Sequence, residues 1–153
     1  MDEVTVRWFR PEDADAVAAL QAESNEWFEE TELSKEFITE CSQRPDFRFM
    51  VAEYQGQVVG FAGTLFFPAV GRAELGPIGI KQALQNHGIG GELIHGILAF
   101  LRTLGVHRTI AHVKASNLNA IKFFLNNNFV FEAYLREYTR KREDVIQLLY
   151  LEK

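Results

Sequence analysis

Residues 81–101 read KQALQNHGIGGELIHGILAFL, and this stretch decides the fold. Gly88, Gly90 and Gly91 stand where an apolar pattern with helical spacing begins. Glycine inside a helix costs about 1 kcal/mol relative to alanine, so we expect these glycines to have a compensating role. The first N–H groups of a helix have no partner in their own helix and lie at the positive end of its dipole. A glycine-rich junction between a strand and a helix therefore favours anion binding. A plain tight turn is the alternative, since the loop lacks the lysine and Ser/Thr of a P-loop and the full dinucleotide pattern.

Length and composition indicate one domain, residues 1–153, with a sizeable core. The net charge of -5 argues against a nucleic-acid partner, which usually selects a basic face. Cys41 is the single cysteine, so we expect no intramolecular disulfide and no metal site built on cysteines. No apolar run approaches the roughly 18 residues that span a membrane, and the N-terminus lacks a signal-peptide pattern. The sequence therefore predicts a cytoplasmic protein without membrane association.

Periodicity along the chain predicts the order β-α-α-β-β-β-α-β-α-β-β, a mixed α/β (α+β) domain with one sheet. The strands are predicted over 4–9, 47–54, 57–67, 72–80, 108–113, 129–138 and 144–152, and the helices after Pro11 and over 34–43, 90–104 and 117–127. Gly105 is placed to end the third helix. Gly76, Pro77 and Gly79 interrupt the fourth strand, where proline removes a donor from the ladder. A bulge or a strand splaying away from its neighbour is expected there.

Two motifs, in this order, resemble those of the GNAT superfamily of acetyl-CoA-dependent N-acetyltransferases. QNHGIG, residues 85–90, matches that family's pyrophosphate loop, Gln/Arg-x-x-Gly-x-Gly/Ala. NLNAIKFFLNNNF, residues 117–129, matches its Asn-x-x-Ala block except that Asn128 replaces a glycine, and asparagine tolerates the left-handed conformation. With the opening VRWFRPEDADAVAAL, the resemblance covers essentially the whole chain. It implies a central, mostly antiparallel, twisted sheet with a splayed parallel pair of strands and flanking helices.

The resemblance implies acetyl-CoA as co-substrate and no metal. The pantetheine arm would pair with Ile78, Gly79 and Ile80, and the N–H of Ile80 would stabilise the oxyanion of the thioester carbonyl. Asn117 would hold the far end of the cofactor, and Phe124, at the position of the family's tyrosine, is counted among the cofactor-binding residues. The pyrophosphate would lie on the glycine loop, defined as residues 85–91: Gln85, Asn86, His87, Gly88, Ile89, Gly90 and Gly91.

Acetyl transfer to an amine needs a group that takes a proton and a departing thiolate that is stabilised or protonated. Glu74 is the candidate base, because related enzymes carry a catalytic glutamate on this strand; a solvated strand glutamate is an equal alternative. Phe124 stands where the family has its acid, a tyrosine, and cannot donate a proton. The nearest tyrosines along the chain are Tyr134 and Tyr138, both expected on the next strand, and we take Tyr138 as the candidate acid. The alternative for each of them is an ordinary aromatic residue of a strand with no catalytic role.

The acidic segment between the first two helices lies where this family builds its acceptor site. Glu26, Glu29, Glu30 and Glu32 favour a cationic small-molecule or peptide amine, with a solvated helix end as the alternative. Members of the family often pair, which leaves a homodimer open. Two other functions are also open: a non-catalytic acyl-CoA-binding or sensor domain, which Phe124 favours, and a nucleotide-phosphate binder that uses the glycine loop alone.

Overall fold

The computed structural model describes residues 3–24 and 33–153, and in these residues seven strands form one sheet flanked by four helices. The strands are β1 Thr5–Trp8, β2 Phe47–Tyr54, β3 Gln57–Phe67, β4 Arg72–Ile80, β5 Arg108–Lys114, β6 Val130–Leu135 and β7 Val145–Leu151. The helices are α1 Ala14–Ser24, α2 Lys35–Ser42, α3 Ile89–Thr103 and α4 Leu118–Asn126. Short 3-10 turns occupy Pro11–Asp13, Pro68–Val70 and Gln82–Leu84. The predicted order of elements is confirmed.

The order of strands across the sheet is β1-β2-β3-β4-β5-β7-β6. Five of the neighbouring pairs are antiparallel, and β4 and β5 run parallel. The register of β3 against β4 shifts between Ala62 and Thr64, beside the Gly76-Pro77 step. The predicted bulge is therefore present, and the predicted mostly antiparallel sheet with one parallel pair is confirmed.

Hydrophobic side chains alternate between the two faces of the sheet and build a core on each. On one face α3 packs against β2, β3 and β4, where Ala73 and Leu75 belong to its core. On the other face α1 and α2 cover a second core that contains Phe49 and Phe61. Glu74, between Ala73 and Leu75, projects to the face of α1 and α2, because successive strand residues point to opposite faces.

The ends of α3 and α4 follow the same hydrogen-bond pattern. Gly105 has φ +78, its N–H donates to the carbonyl of Arg102 at 3.1 Å, and the next N–H donates to Leu101 at 3.1 Å. Asn128 has φ 70, and the same pair of bonds follows α4: the Asn128 N–H donates to the Leu125 carbonyl, and the next N–H donates to the Phe124 carbonyl. Both are Schellman motifs, in which a left-handed residue satisfies the last carbonyls of the helix. The predicted stop at Gly105 and the predicted left-handed Asn128 are confirmed.

An ion pair between the half-buried Arg7 and the buried Asp13 joins β1 to the start of α1. Asp13 is only 5% exposed and accepts hydrogen bonds from Arg7 Nη1 at 2.8 Å, from Arg7 Nη2 at 3.0 Å and from the Arg10 N–H at 2.8 Å. Burial by itself raises the pKa of Asp13, but the bonds from Arg7 and Arg10 outweigh it and hold that pKa below its ordinary value. The pair therefore stabilises the fold through the charged form of Asp13.

Candidate functional site

The parallel strands β4 and β5 pair over four residues only, from Arg72↔Arg108 to Leu75↔Ala111. Beyond that point β4 continues to Ile80 alongside β3, while β5 ends at Lys114. We call the space that opens between the two strands the strand gap. It is the splayed parallel pair that the sequence analysis expected.

Backbone alternation decides which groups face the strand gap. The Lys81 N–H donates to the Val59 carbonyl at 2.8 Å, and Gly60 lies opposite Ile80 in the same register. In an antiparallel ladder hydrogen-bonded and non-hydrogen-bonded pairs alternate, so Ile78 and Ile80 belong to the non-bonded pairs. Their N–H and C=O groups consequently point away from β3, toward the strand gap. Ile78 and Ile80 are two positions apart, which is the repeat at which an extended ligand pairs with one side of a strand.

The glycine loop leads from the strand gap into α3. Gln85, Asn86, His87 and Gly88 are exposed, and Asn86 and Gly88 have left-handed φ values of 66 and 82. A Cβ on Gly88 would meet nothing within 4 Å in the described part of the chain, so its positive φ, not crowding, selects glycine. Among the described residues no side chain caps α3 at Gly88. The first N–H groups of this 15-residue helix can therefore serve an anion.

Gly90 has a different role from Gly88. It is buried, and a Cβ at this position would lie 2.7 Å from Cζ and 2.8 Å from Cε1 of Phe123 on α4. At Gly91 the nearest contact would be milder, 3.2 Å to the side-chain oxygen of Asn127. The second glycine of the motif thus lets α3 approach α4 closely, a packing role that the sequence analysis did not foresee.

Two further residues of the predicted cofactor site contribute to helix α4. Asn117 is its N-cap, with Oδ1 accepting from the Ala120 N–H at 3.1 Å, so Nδ2 is the group that could donate to a ligand. Phe124 is only 3% exposed, and its ring centroid lies 5.2 Å from that of Phe123 and 5.1 Å from that of Phe129. Phe124 therefore packs in the core, and this burial does not support a direct contact with a cofactor.

Glu74 lies at the wall of a cavity of about 280 Å³ on the face of the sheet that carries α1 and α2. The walls are mainly apolar and come from α2, from the strands and from the β4 bulge: Phe37, Cys41, Phe47, Phe49, Leu65 and Pro77. Glu74, Arg44 and His112 supply the charged and titratable groups. We call this space the Glu74 cavity. It combines an apolar body with a carboxylate and an imidazole, which is typical of a site for a small organic molecule.

His112 was not among the candidate site residues of the sequence analysis, and the structure places it on the wall of the Glu74 cavity. It follows Ala111, the last residue of β5 that pairs with β4, and so stands where the strand gap opens. Strand alternation places it on the same face as Arg108 and Ile110, and Ile110 lies beside Glu74 in the register. The alternation along β5 can be read from the sequence, but the sequence does not show that β4 and Glu74 lie beside it.

The two candidate tyrosines differ in position. Tyr138 lies in the turn after β6, which ends at Leu135, so its expected placement on the strand was wrong. The chain turns because the Tyr138 N–H pairs with the Glu143 carbonyl at 2.9 Å. The ring of Tyr138 is 5.3 Å from that of His112. Tyr134 is on β6, and its hydroxyl donates to Asp144 at 2.6 Å, which raises the pKa of Tyr134 and makes it a poor acid.

Three features bear on the other sequence-based expectations. The glutamates of the acidic segment, Glu26, Glu29, Glu30 and Glu32, lie outside the described residues. Within residues 3–24 and 33–153, no group of three or more His, Cys, Asp or Glu side chains is placed to hold a metal ion. In those same residues, no helix is long and apolar enough to cross a membrane.

Comparison with known proteins connects this geometry to a family. The model of the acetyltransferase (GNAT) family matches residues 14–129. Mycothiol acetyltransferase from Amycolatopsis mediterranei is 30% identical over 140 residues, which are 84% of this chain and 46% of that protein. The chain therefore spans about half the length of the curated relative that it matches.

Solved structures share the whole fold. A spermidine N-acetyltransferase from Vibrio cholerae, solved as a point mutant, superposes with a TM-score of 0.81 and 26% identity over 96% of this chain and 94% of that one. A protein from Salmonella typhimurium, solved with its cofactor acetyl-CoA, superposes with a TM-score of 0.82 and 18% identity over 99% of this chain and 96% of that one.

Proposed function

The chain belongs to the acetyltransferase (GNAT) family, and from that premise we propose that it transfers an acetyl group from acetyl-CoA to a primary amine. The observation that carries the proposal is the strand gap, which leads directly into the glycine loop. A ligand with an extended amide arm followed by a pyrophosphate fits this arrangement. The strand gap offers strand-like hydrogen bonds to the arm, and the start of α3 offers an anion site to the pyrophosphate.

In this proposal the backbone binds the cofactor. The N–H and C=O groups of Ile78 and Ile80 pair with the pantetheine arm in the strand gap, with Gly79 between them. The glycine loop holds the pyrophosphate, for which the exposed, left-handed Gly88 leaves room. The Ile80 N–H then faces the thioester carbonyl and stabilises the negative charge that develops on its oxygen.

The acceptor enters the Glu74 cavity, which opens on the opposite side of the same two strands. Its mainly apolar walls favour a primary amine carried on an apolar body, either a small molecule or a peptide N-terminus. A carboxylate at the wall attracts the ammonium form of that amine. We propose Glu74 as a base that receives a proton of the amine, directly or through water, as the nitrogen attacks the thioester.

The departing thiolate needs less stabilisation than an alkoxide would. We propose Tyr138 as its proton donor, because the ring of Tyr138 lies against His112 at the same end of the strand gap.

A second candidate function, a non-catalytic acyl-CoA sensor, is favoured by one observation: Phe124, which cannot donate a proton, is buried at the position of the family's tyrosine. Release of coenzyme A thiol in the presence of amines separates the two functions.

Calorimetric titration of acetyl-CoA into the protein tests the cofactor site. Gly88→Val should weaken binding about tenfold or more, a change of about 1.4 kcal/mol, because its side chain would stand over the anion site. Gly105→Val is the matched control: Gly105 caps the other end of α3, has φ +78, and likewise has nothing within 4 Å of a built Cβ in the described residues. Equal affinities in the two variants, or no saturable binding by the wild type, would refute the proposed site.

A further inference from the structure

Four side chains on three neighbouring strands form a continuous polar chain that ends at the Glu74 cavity. The Arg108 guanidinium pairs with both carboxylate oxygens of Glu132, with Nη1 2.9 Å from Oε2. Gln147 Nε2 donates to Glu132 Oε1 at 2.7 Å. Gln147 Oε1 lies 2.8 Å from His112 Nε2. The four residues, Arg108, Glu132, Gln147 and His112, are adjacent because β7 lies between β5 and β6 in the sheet.

Donor and acceptor chemistry along this polar chain determines the tautomer of His112. Both carboxylate oxygens of Glu132 accept hydrogen bonds from the Arg108 guanidinium, so Glu132 acts as an acceptor in this polar chain. The group of Gln147 that faces Glu132 must therefore be its NH₂, and the oxygen of the same amide must face His112. A carbonyl oxygen only accepts, so His112 Nε2 carries a hydrogen. In the neutral ring the lone pair then belongs to Nδ1.

His112 is also placed where the proposed reaction occurs. Its side chain is half-buried, lines the Glu74 cavity and belongs to the residue that follows the last β4–β5 pair. Among the residues that the structure describes, the charged or titratable groups of this region are Glu74 from β4, Cys41 from α2, Arg44 after α2 and Tyr138 after β6. Lys114 lies two residues along β5 on the same face and pairs with Glu143, and Glu132 reaches the ring through Gln147. An imidazole whose tautomer is held by the half-buried amide of Gln147 is suited to a defined proton transfer.

We propose that His112 is a catalytic residue of the acetyl transfer, which accepts the proton of the acceptor ammonium at Nδ1, and that Gln147 and Glu132 are positioning residues. The inference rests on the proposed function. Proton transfer yields a neutral amine and an imidazolium whose Nε2–H still donates to Gln147. The amine nitrogen bonds to the thioester carbon, the C–S bond breaks with its electron pair on sulfur, the nitrogen loses its second proton to Glu74, and Tyr138 donates a proton to the thiolate. The imidazolium and Glu74 then give up their protons to solvent, and Tyr138 regains one.

The tautomer can be measured without knowing the acceptor. Long-range ¹H–¹⁵N spectra at a pH where the ring is neutral distinguish the two imidazole tautomers, and His112→Gln identifies the signal among the four histidines. We expect the Nε2–H form in the wild type and a mixture of tautomers in Gln147→Leu. An Nδ1–H form in the wild type would overturn the proposal.

Turnover tests the catalytic role, with phenethylamine as acceptor because the Glu74 cavity is mainly apolar. In His112→Gln the new amide can still donate to Gln147 but has no titratable nitrogen. We expect kcat/KM to fall about 10²-fold or more and the acidic limb of its pH profile to change. Gln147→Leu should lower kcat/KM less and shift the same limb. His95→Asn, on the exposed side of α3, is the matched control and should behave as wild type.

Acetyl-CoA binding separates failure of this inference from failure of the proposed function. If the wild type shows no saturable binding of acetyl-CoA, the proposed function is refuted and the role of His112 falls with it. If His112→Gln binds acetyl-CoA normally and retains the turnover and pH profile of the wild type, only the role of His112 is refuted. Normal binding with depressed turnover and an altered pH limb supports both.

Discussion

Gly90 provides a test of whether a residue of the cofactor motif is needed for the ligand or for packing. A Cβ added there would lie 2.7 Å from Cζ of Phe123, far inside the roughly 3.5–4.0 Å at which carbon atoms pack best. Overpacking of this kind costs about 1–3 kcal/mol. Alanine gains about 1 kcal/mol over glycine within a helix. Gly90→Ala should therefore lower the free energy of unfolding by at most about 2 kcal/mol in the wild-type background.

The sign of the effect should reverse when the ring is removed. In a Phe123→Ala background the clash is absent, so Gly90→Ala keeps only its helical gain and should stabilise the protein by up to about 1 kcal/mol. The interaction energy between the two positions is then about 1–3 kcal/mol. Urea unfolding of the four proteins of this double-mutant cycle measures it, provided that the m-values agree. Gly91→Ala, with 3.2 Å to Asn127 Oδ1, is the neighbouring control and should show little coupling to Phe123.

An equal effect of Gly90→Ala in both backgrounds would refute the packing explanation. Acetyl-CoA affinity, measured on the same proteins, adds an independent criterion. If Gly90→Ala weakens binding only by displacing α3, Phe123→Ala should restore the affinity. If binding stays weak in the double variant, the added methyl group itself obstructs the cofactor.

Three other predictions follow from single contacts. Asp13→Asn should cost about 1–3 kcal/mol, because it removes the carboxylate that Arg7 and the Arg10 N–H bond, while Arg7 keeps its bond to Glu53. Since the folded-state pKa of Asp13 is lowered, the difference from wild type in urea unfolding should shrink as pH falls below about 4. Phe124→Tyr should lower stability by about 1–3 kcal/mol, because it buries a hydroxyl, and should not raise turnover of phenethylamine; a clear rise would contradict the core role of Phe124. Glu74→Gln should lower kcat about 10²-fold with unchanged calorimetric affinity for acetyl-CoA, and wild-type turnover would exclude Glu74 as base.

The sequence predicted the features that depend on neighbouring residues. The strand and helix order, the end of α3 at Gly105 and the left-handed Asn128 follow from local periodicity and backbone preference, and the structure confirms each. The disturbance at Gly76-Pro77 was predicted for the same reason, since proline lacks a donor wherever the strand lies. The roles of the glycine loop, Ile80 and Glu74 remain predictions from family resemblance.

The features that sequence reasoning missed depend on contacts between distant parts of the chain. Gly90 was interpreted as a ligand residue because the sequence cannot show that Phe123 lies above it. His112 was not among the candidate site residues, and Tyr138 was expected on a strand that ends before it. Each of these needed the spatial order of elements, which periodicity does not contain.

The sequence by itself thus determined the elements, their order and the family, because backbone conformation responds to residues a few positions apart. Only the tertiary structure decided which side chains share the Glu74 cavity and which tautomer His112 adopts. The order β4-β5-β7-β6 sets Glu74, His112, Gln147 and Glu132 side by side, although they come from four separate strands. The physical reason is that hydrogen bonds and close packing act over a few ångströms of space, regardless of separation along the chain.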